Sequence, residues 1–169
     1  AISIFYIFTK DKGEGEMSKI TSVKARQVLD CKGRPVAEVD VVTEDGYLGR
    51  AGASTGSSVG SNESFVLRDG DPKVYGGLSV YKAIENIETI IGPAIKGMDV
   101  HDQEAIDRRM IELDGTRYKT ALGGNAIYAV SVAVAKAAAA ENHKPIYQNM
   151  AKAPIRYIMS PSANVVNGG

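Results

Sequence analysis

One cysteine, two histidines and no tryptophan stand in a chain of 169 residues. Cys31 alone rules out an internal disulfide and a cysteine-based zinc cage, and His101 and His143 are too few for a His-rich metal site. An excess of charge is missing as well. The 20 basic side chains are balanced by 20 acidic ones, and wholesale binding of nucleic acid or of an anionic membrane needs a surplus of Lys and Arg. The apolar start AISIFYIFT (Ala1–Thr9) falls far short of the roughly 20 residues needed to span a bilayer. It also lacks the basic start and small-residue cleavage site of a secretory signal. What remains is ordinary: 44% hydrophobic and 24% charged residues, the balance of a globular domain rather than a disordered chain. The composition points to a soluble, cytoplasmic domain that binds neither nucleic acid nor membrane.

Both ends of the chain read oddly. Ala1–Thr9 is followed by the charged, aperiodic KDKGEGE and then by Met17. Residues 1–16 therefore read as an extraneous extension, with a real N-terminal strand as the alternative. At the other end NVVNGG stops directly after Val165–Val166, and two glycines after a strand-like run mark a turn leading onward. Residues 161–169 read as the start of a linker or strand into something further.

Between the ends, hydrophobic periodicity defines an α+β fold, a three-stranded antiparallel meander followed by a helical layer. From Lys19 to Leu29 the period is two, with Ile20, Ser22, Lys24 and Arg26 on one side and Thr21, Val23, Ala25 and Gln27 on the other. Asp30–Pro35 is turn chemistry. Val36–Thr43 places Val39 and Val41 opposite Glu38 and Asp40. Glu44-Asp45-Gly46 is a hairpin signal, and Tyr47–Ala51 returns as a third strand. Past Ser79 the period becomes helical. Tyr81, Ile84, Ile87 and Ile91 form a stripe that Gly92-Pro93 should end. Asp99 is placed to cap a second helix with Ile106, Met110 and Leu113 inward. Gly123–Ala140 is apolar on nearly every side, as expected of a helix buried between layers. Pro145–Lys152 reads as a short last helix and Ala163–Val166 as a final strand.

Few residues carry obvious chemistry. Asp69 and Asp71 form a paired-carboxylate word, either a cation site or a turn capped by its own aspartates; the spacing fails the EF-hand pattern. His101, beside Asp99 and Asp102, and His143, before Lys144-Pro145, read as surface and loop residues. Cys31 is flanked by Lys32 and Arg34, which would favour a thiolate, but no partner for a nucleophile is recognisable. The stretch Gly52–Glu63, GASTGSSVGSNE, is the most suggestive element. It is rich in Gly and Ser and has no large side chain to anchor it, so it reads as mobile. It lacks the Gly-Lys-Ser/Thr ending of a P-loop. A functional lid and an ordinary flexible loop both remain open on this pattern.

The words ARQVLDCKGRPVAEVDVVTEDG, GASTG, LRDGD, LDGT (Leu113–Thr116), GGNAIYAVSVAVAKAAA and NVVNGG occur in this order along the chain. In these the sequence from Val23 to Gly169 resembles the N-terminal domain of the enolase family, with residues 17–160 as the matching domain. The resemblance implies a meander followed by helices, and a catalytic (β/α)-barrel of roughly 250 residues that is absent from this chain. In the family NGG is followed by Ser-His-Ala-Gly, which opens that barrel. The activity implied is Mg²⁺-dependent dehydration of 2-phosphoglycerate to phosphoenolpyruvate in glycolysis, making a phosphorylated small molecule the substrate and the parent protein a phosphopyruvate hydratase, a carbon–oxygen lyase. The base lysine, the acid glutamate and the carboxylates of the first Mg²⁺ belong to the barrel, so the resemblance places no catalytic residue here and makes the chain inactive alone. Gly52, Ala53, Ser54, Thr55 and Gly56 match the lid loop, and Ser54 matches the serine that ligates the second Mg²⁺. Enolases are commonly dimers, which implies a homo-oligomer with Glu38 and its strand at the interface.

The match has departures. Ala51 stands where the family has Ser, Ser57–Phe65 is about four residues longer than usual, and Arg34 replaces an Asn. The longer lid, beside the substrate mouth in the family, makes an enolase-like enzyme acting on a phosphonate or another enolpyruvate analogue an alternative; a stand-alone, non-catalytic binding module is a separate one.

Overall fold

The computed structural model describes residues 17–56, 60–151, 153, 154 and 156. The segment 1–16 and the expected strand Ala163–Val166 lie outside the described residues. Three strands, β1 (Ile20–Leu29), β2 (Pro35–Thr43) and β3 (Leu48–Gly52), form an antiparallel sheet in the order β1-β2-β3. Two tight turns join them. Gly33 and Gly46 have φ of +69° and +85°, the left-handed region that glycine enters without a Cβ penalty. The register pairs Val23 with Val41 and Ala25 with Val39, then Val39 with Ala51 and Val41 with Gly49. These residues share the inner face; Lys24, Arg26, Glu38, Asp40 and Arg50 share the outer one.

One detail departs from strict alternation. Counting by twos puts Ile20 beside Lys24 and Arg26, yet Ile20 is buried. The ladder is irregular between Ile20 and Ser22, and a bulge of this kind transfers a side chain to the opposite face.

The inner face is covered by α4 (Gly124–Glu141), which packs on β2 and β3, and by a helical run beside β1. That run consists of α1 (Tyr81–Asn86), a π-turn (Ile87–Ile91) and α2 (Gly92–Ile95). Gly92-Pro93 therefore does not end the helix. Pro93 lacks an N–H and its ring crowds the preceding turn, and the π-turn opens the backbone just ahead of it, with the Gly92 N–H donating to Ile87 O. The buried stripe is Val80, Ala83, Ile87, Ile91 and Ile95. Tyr81, placed inward by periodicity, is 56% exposed; the small Ala83 holds the inner position instead.

Helix α3 (Gln103–Asp114) is capped by Asp102, whose carboxylate accepts from Ala105 N at 3.0 Å. Asp99 is not the cap. It accepts from Ser18 N and His101 N in the preceding turn. Ile106 and Met110 are fully buried, as the stripe predicts, and Leu113 partly so. Helix α4 has β2 and β3 on one side and α3 and α5 (Ile146–Asn149) on the other. This accounts for its nearly all-round apolar sequence; Tyr128 and Lys136 are its exposed positions. The last helix is shorter than Pro145–Lys152.

Candidate functional site: the root of the glycine-rich loop

The Gly52–Gly56 word leaves the end of β3. Gly52 is the last residue of the strand, paired with Glu38. Ala53 is buried and its N–H donates to Ala37 O at 2.9 Å, one further rung beyond the strand. Ser54 is exposed, Thr55 half-buried and Gly56 exposed. Residues 57–59 lie outside the described residues. Ser54 lines a cleft of about 200 Å³ together with Ala53, Thr55, Asn125 and Tyr128. The N-terminus of α4 thus forms the wall opposite the loop.

The expectation that nothing large anchors this stretch is corrected at its first half, because two arginines from outside the loop do so. Arg34, in the β1–β2 turn, donates through Nη2 to Thr55 O at 2.8 Å. Arg68 donates through Nη2 to Thr55 Oγ1 at 3.2 Å, while its Nη1 serves the carbonyls of Pro35, at 3.0 Å, and Leu78. Burial, followed by the nearby Arg34 charge, pulls the Arg68 guanidinium below its ordinary pKa. Arg34 is itself held by Asp30, whose carboxylate is only 4% exposed and receives Arg34 Nε at 2.9 Å and Nη2 at 2.8 Å. The backbone N–H groups of Arg34 and Lys32 also point at Asp30 Oδ1, both at 2.9 Å. The Arg34 N–H bond is the chief reason why the Asp30 carboxyl sits below the usual carboxylate range.

On the far side of the cleft the chain returns along α4. Asn125 is buried and grips Leu67 like a strand partner, accepting from Leu67 N at 3.0 Å and donating to Leu67 O at 3.1 Å. Phe65 N donates to Tyr118 O, and Gly124 N to Phe65 O, each at 2.7 Å. Neither Arg68 nor Asn125 carries a role in the sequence reading, and Arg34 enters it only as a flank of Cys31 and as a departure. Their partners lie far along the chain, so spacing gives no signal for them.

The other candidates separate into structural roles. Asp69 caps α1, accepting from Tyr81 N at 2.9 Å and Lys82 N at 2.8 Å, and Asp71 caps its own turn through Lys73 N. Among the described residues no group of three or more His, Cys, Asp or Glu is arranged to hold a metal. Cys31 is exposed in the β1–β2 turn. His101 Nε2 lies 3.9 Å from Glu141 Oε2, and His143 meets the Tyr47 hydroxyl at 3.3 Å. Glu38 is on the outer sheet face, 2.5 Å from Arg26 Nη2 and 4.0 Å from Arg50 Nε. Beside it Asp40 takes both Arg50 and Arg26, and these hydrogen bonds keep its carboxyl far below its ordinary pKa. No described helix is long and apolar enough to cross a membrane.

Mg²⁺ asks for six oxygens in a tight octahedron, usually with carboxylates among them. Among the described residues, the side-chain oxygens around the loop include the Ser54 hydroxyl, the Thr55 hydroxyl engaged by Arg68, and the Glu63 carboxylate, which accepts from Gly60 N at 2.9 Å. These described side chains do not by themselves complete such a shell.

Compared with protein-family models, residues 20–150 match the one described as "Enolase, N-terminal domain". The match begins at β1 and runs through α5, taking in the loop root, the Asp30–Arg34 turn and the α4 wall of the cleft. With well over half of its length matched and the three-stranded meander followed by helices in place, the chain belongs to the enolase N-terminal domain family.

Proposed function

We propose that this chain is the loop-bearing domain of a Mg²⁺-dependent enolase that dehydrates 2-phosphoglycerate to phosphoenolpyruvate in glycolysis in the cytoplasm. The groups that remove the proton and assist loss of the hydroxyl come from outside these residues. The observation that carries the reading is Ser54: an exposed hydroxyl at the mouth of a cleft, set between the buried Ala53 and the doubly held Thr55. Small residues on both sides let this backbone come close to a substrate and exclude water from it. The domain's part is positional: it presents one hydroxyl as a ligand and closes one side of the site. The charged outer face of the sheet, with Glu38, is the surface for a second copy.

The test is Ser54→Ala in an enzyme carrying this domain. The expected result is at least about a tenfold rise in the Mg²⁺ concentration needed for 2-phosphoglycerate turnover. An unchanged requirement overturns the reading. The 169-residue chain by itself is expected to give no turnover with Mg²⁺, and measurable turnover would show that the proton-transfer groups lie within it.

A further inference from the structure

We propose that Arg34 is a positioning residue for Ser54: oriented by Asp30, its guanidinium holds the Thr55 carbonyl and, with Arg68 on the Thr55 hydroxyl, fixes the backbone on which Ser54 stands. This rests on the reading of Ser54 given above and adds the device that places it.

Ser54 has a fixed neighbour on each side. Ala53 is tied to β2 through its N–H bond to Ala37 O and is 3% exposed. Thr55 is gripped at two atoms by two guanidiniums that arrive from different parts of the chain, the β1–β2 turn and the segment before α1. Fixing both ends of a three-residue stretch removes most of the torsional freedom of its centre, a freedom worth about 1–2 kcal/mol per residue when it must be lost later. A serine held in advance meets its ligand without that loss.

The geometry requires Arg at position 34. The planar fork presents Nε and Nη2 to Asp30 while Nη2 also faces Thr55 O. An Asn there is too short to serve two partners on opposite sides. A Lys supplies charge as a single point and lacks the fork. Asp30 is a strong orienting partner because it is almost wholly covered and fixed by two backbone N–H groups. Arg68 is anchored as firmly by the Pro35 and Leu78 carbonyls.

The experiment is backbone NMR relaxation on the 169-residue chain and on Arg34→Gln and Arg34→Lys. In the parent, order parameters at Ser54 and Thr55 are expected near 0.85, the value of rigid backbone, and in Arg34→Gln below about 0.6. Those of α4 and the thermal midpoint should change little. Arg34→Lys is expected to loosen Ser54 nearly as much as Gln, since charge without the fork is insufficient. Unchanged order at Ser54 in Arg34→Gln overturns the proposal. So does a flexible Ser54 in the parent, an outcome that needs no variant to fold. The clasp and the reading beneath it fail separately. If Ser54→Ala leaves the Mg²⁺ requirement unchanged while Arg34→Gln loosens the loop, the functional reading falls and the clasp stands.

Discussion

The seam between α4 and β3 and the root of the Gly52–Gly56 loop lie at the two ends of one short strand, and they are held by opposite means. At the seam the helix offers Ala133 and Ala137 and the strand offers Gly49. Beside a hydrogen bond from Lys136 Nζ to Arg50 O at 2.9 Å, cohesion there comes from close approach and dispersion between small groups. At the loop root, no more than a few residues away, Ala53 still packs into the core, but Thr55 is held by polar groups. Position is set by two guanidiniums, a covered carboxylate and the carbonyl and hydroxyl of Thr55. A close-packed contact fails when an atom is added and a hydrogen-bonded one when a partner is removed. Division of labour follows: the seam supplies stability, and the loop root supplies placement of Ser54.

The largest expected effect is at the seam. A Cβ on Gly49 would collide with the backbone oxygen of Ala133 and the backbone nitrogen of Ala137, and backbone in the middle of a helix cannot step aside as a flexible side chain can. Gly49→Ala is therefore expected to destabilise by about 3 kcal/mol or more, measured as a lower midpoint in urea unfolding. In a strand Ala ordinarily gains over Gly, so an unchanged or raised midpoint would show that α4 is free to slide and that the seam is not close-packed.

A smaller effect is expected where the two regions meet. Gly124 opens α4 at the cleft, and a Cβ there would run into the Ser64 side chain and lie 3.0 Å from Phe65 O. The Ser64 hydroxyl can turn away, but the Ser64 Cβ, 2.6 Å off, and the Phe65 carbonyl, which accepts from Gly124 N, move only with the backbone. Gly124→Ala is expected to cost roughly 1–3 kcal/mol and to free the amides of Phe65 and Leu67 to hydrogen exchange, leaving those of β2 protected. Loss of protection throughout the sheet would instead make the cleft wall part of the core.

How much of this was legible in the sequence depends on how local the cause is. The meander follows from period two and from glycines whose turns need positive φ, all within a few residues. Helix α4 and the inward Ile106 and Met110 follow from composition and spacing for the same reason. The bulge at Ile20, the π-turn ahead of Pro93 and the choice of Asp102 over Asp99 as cap turn on one-residue adjustments that tertiary packing selects. Asp99 and Asp102 are both suitable residue types, and only the fold gives Asp99 the Ser18 amide as a partner. Composition brought the Gly52–Glu63 stretch to notice and the family words narrowed it to Gly52–Gly56, but its anchors were beyond reading. Thr55 meets Arg34 across 21 residues and Arg68 across 13, and no periodicity links positions of that kind.

The smallest expected effect separates the regions by their response to acid. The folded pKa of Asp30 is lowered, first by the Arg34 N–H and further by the Arg34 guanidinium and Lys32 N–H, with burial opposing. A carboxylate of this kind binds its proton more readily when the chain is unfolded, so its contribution is complete above the unfolded value, about 3.9, and is lost as the pH falls through the folded value. Asp30→Asn keeps the shape and one acceptor oxygen for the backbone amides, but sets an amide NH2 where Oδ2 accepted Arg34 Nε and Nη2, so both the charge and the acceptor that orient Arg34 are removed. The variant should therefore melt slightly below the parent at neutral pH. That gap should begin to close below about pH 4 and vanish once Asp30 of the parent is protonated in the fold. The Gly49 seam, bridged by the Lys136 ammonium, a group that stays charged in acid, should give a deficit in Gly49→Ala that stays level over the same range. A Gly49→Ala deficit that closes in parallel with that of Asp30→Asn would mean that seam and loop root share one support, and the division between them would have to be withdrawn.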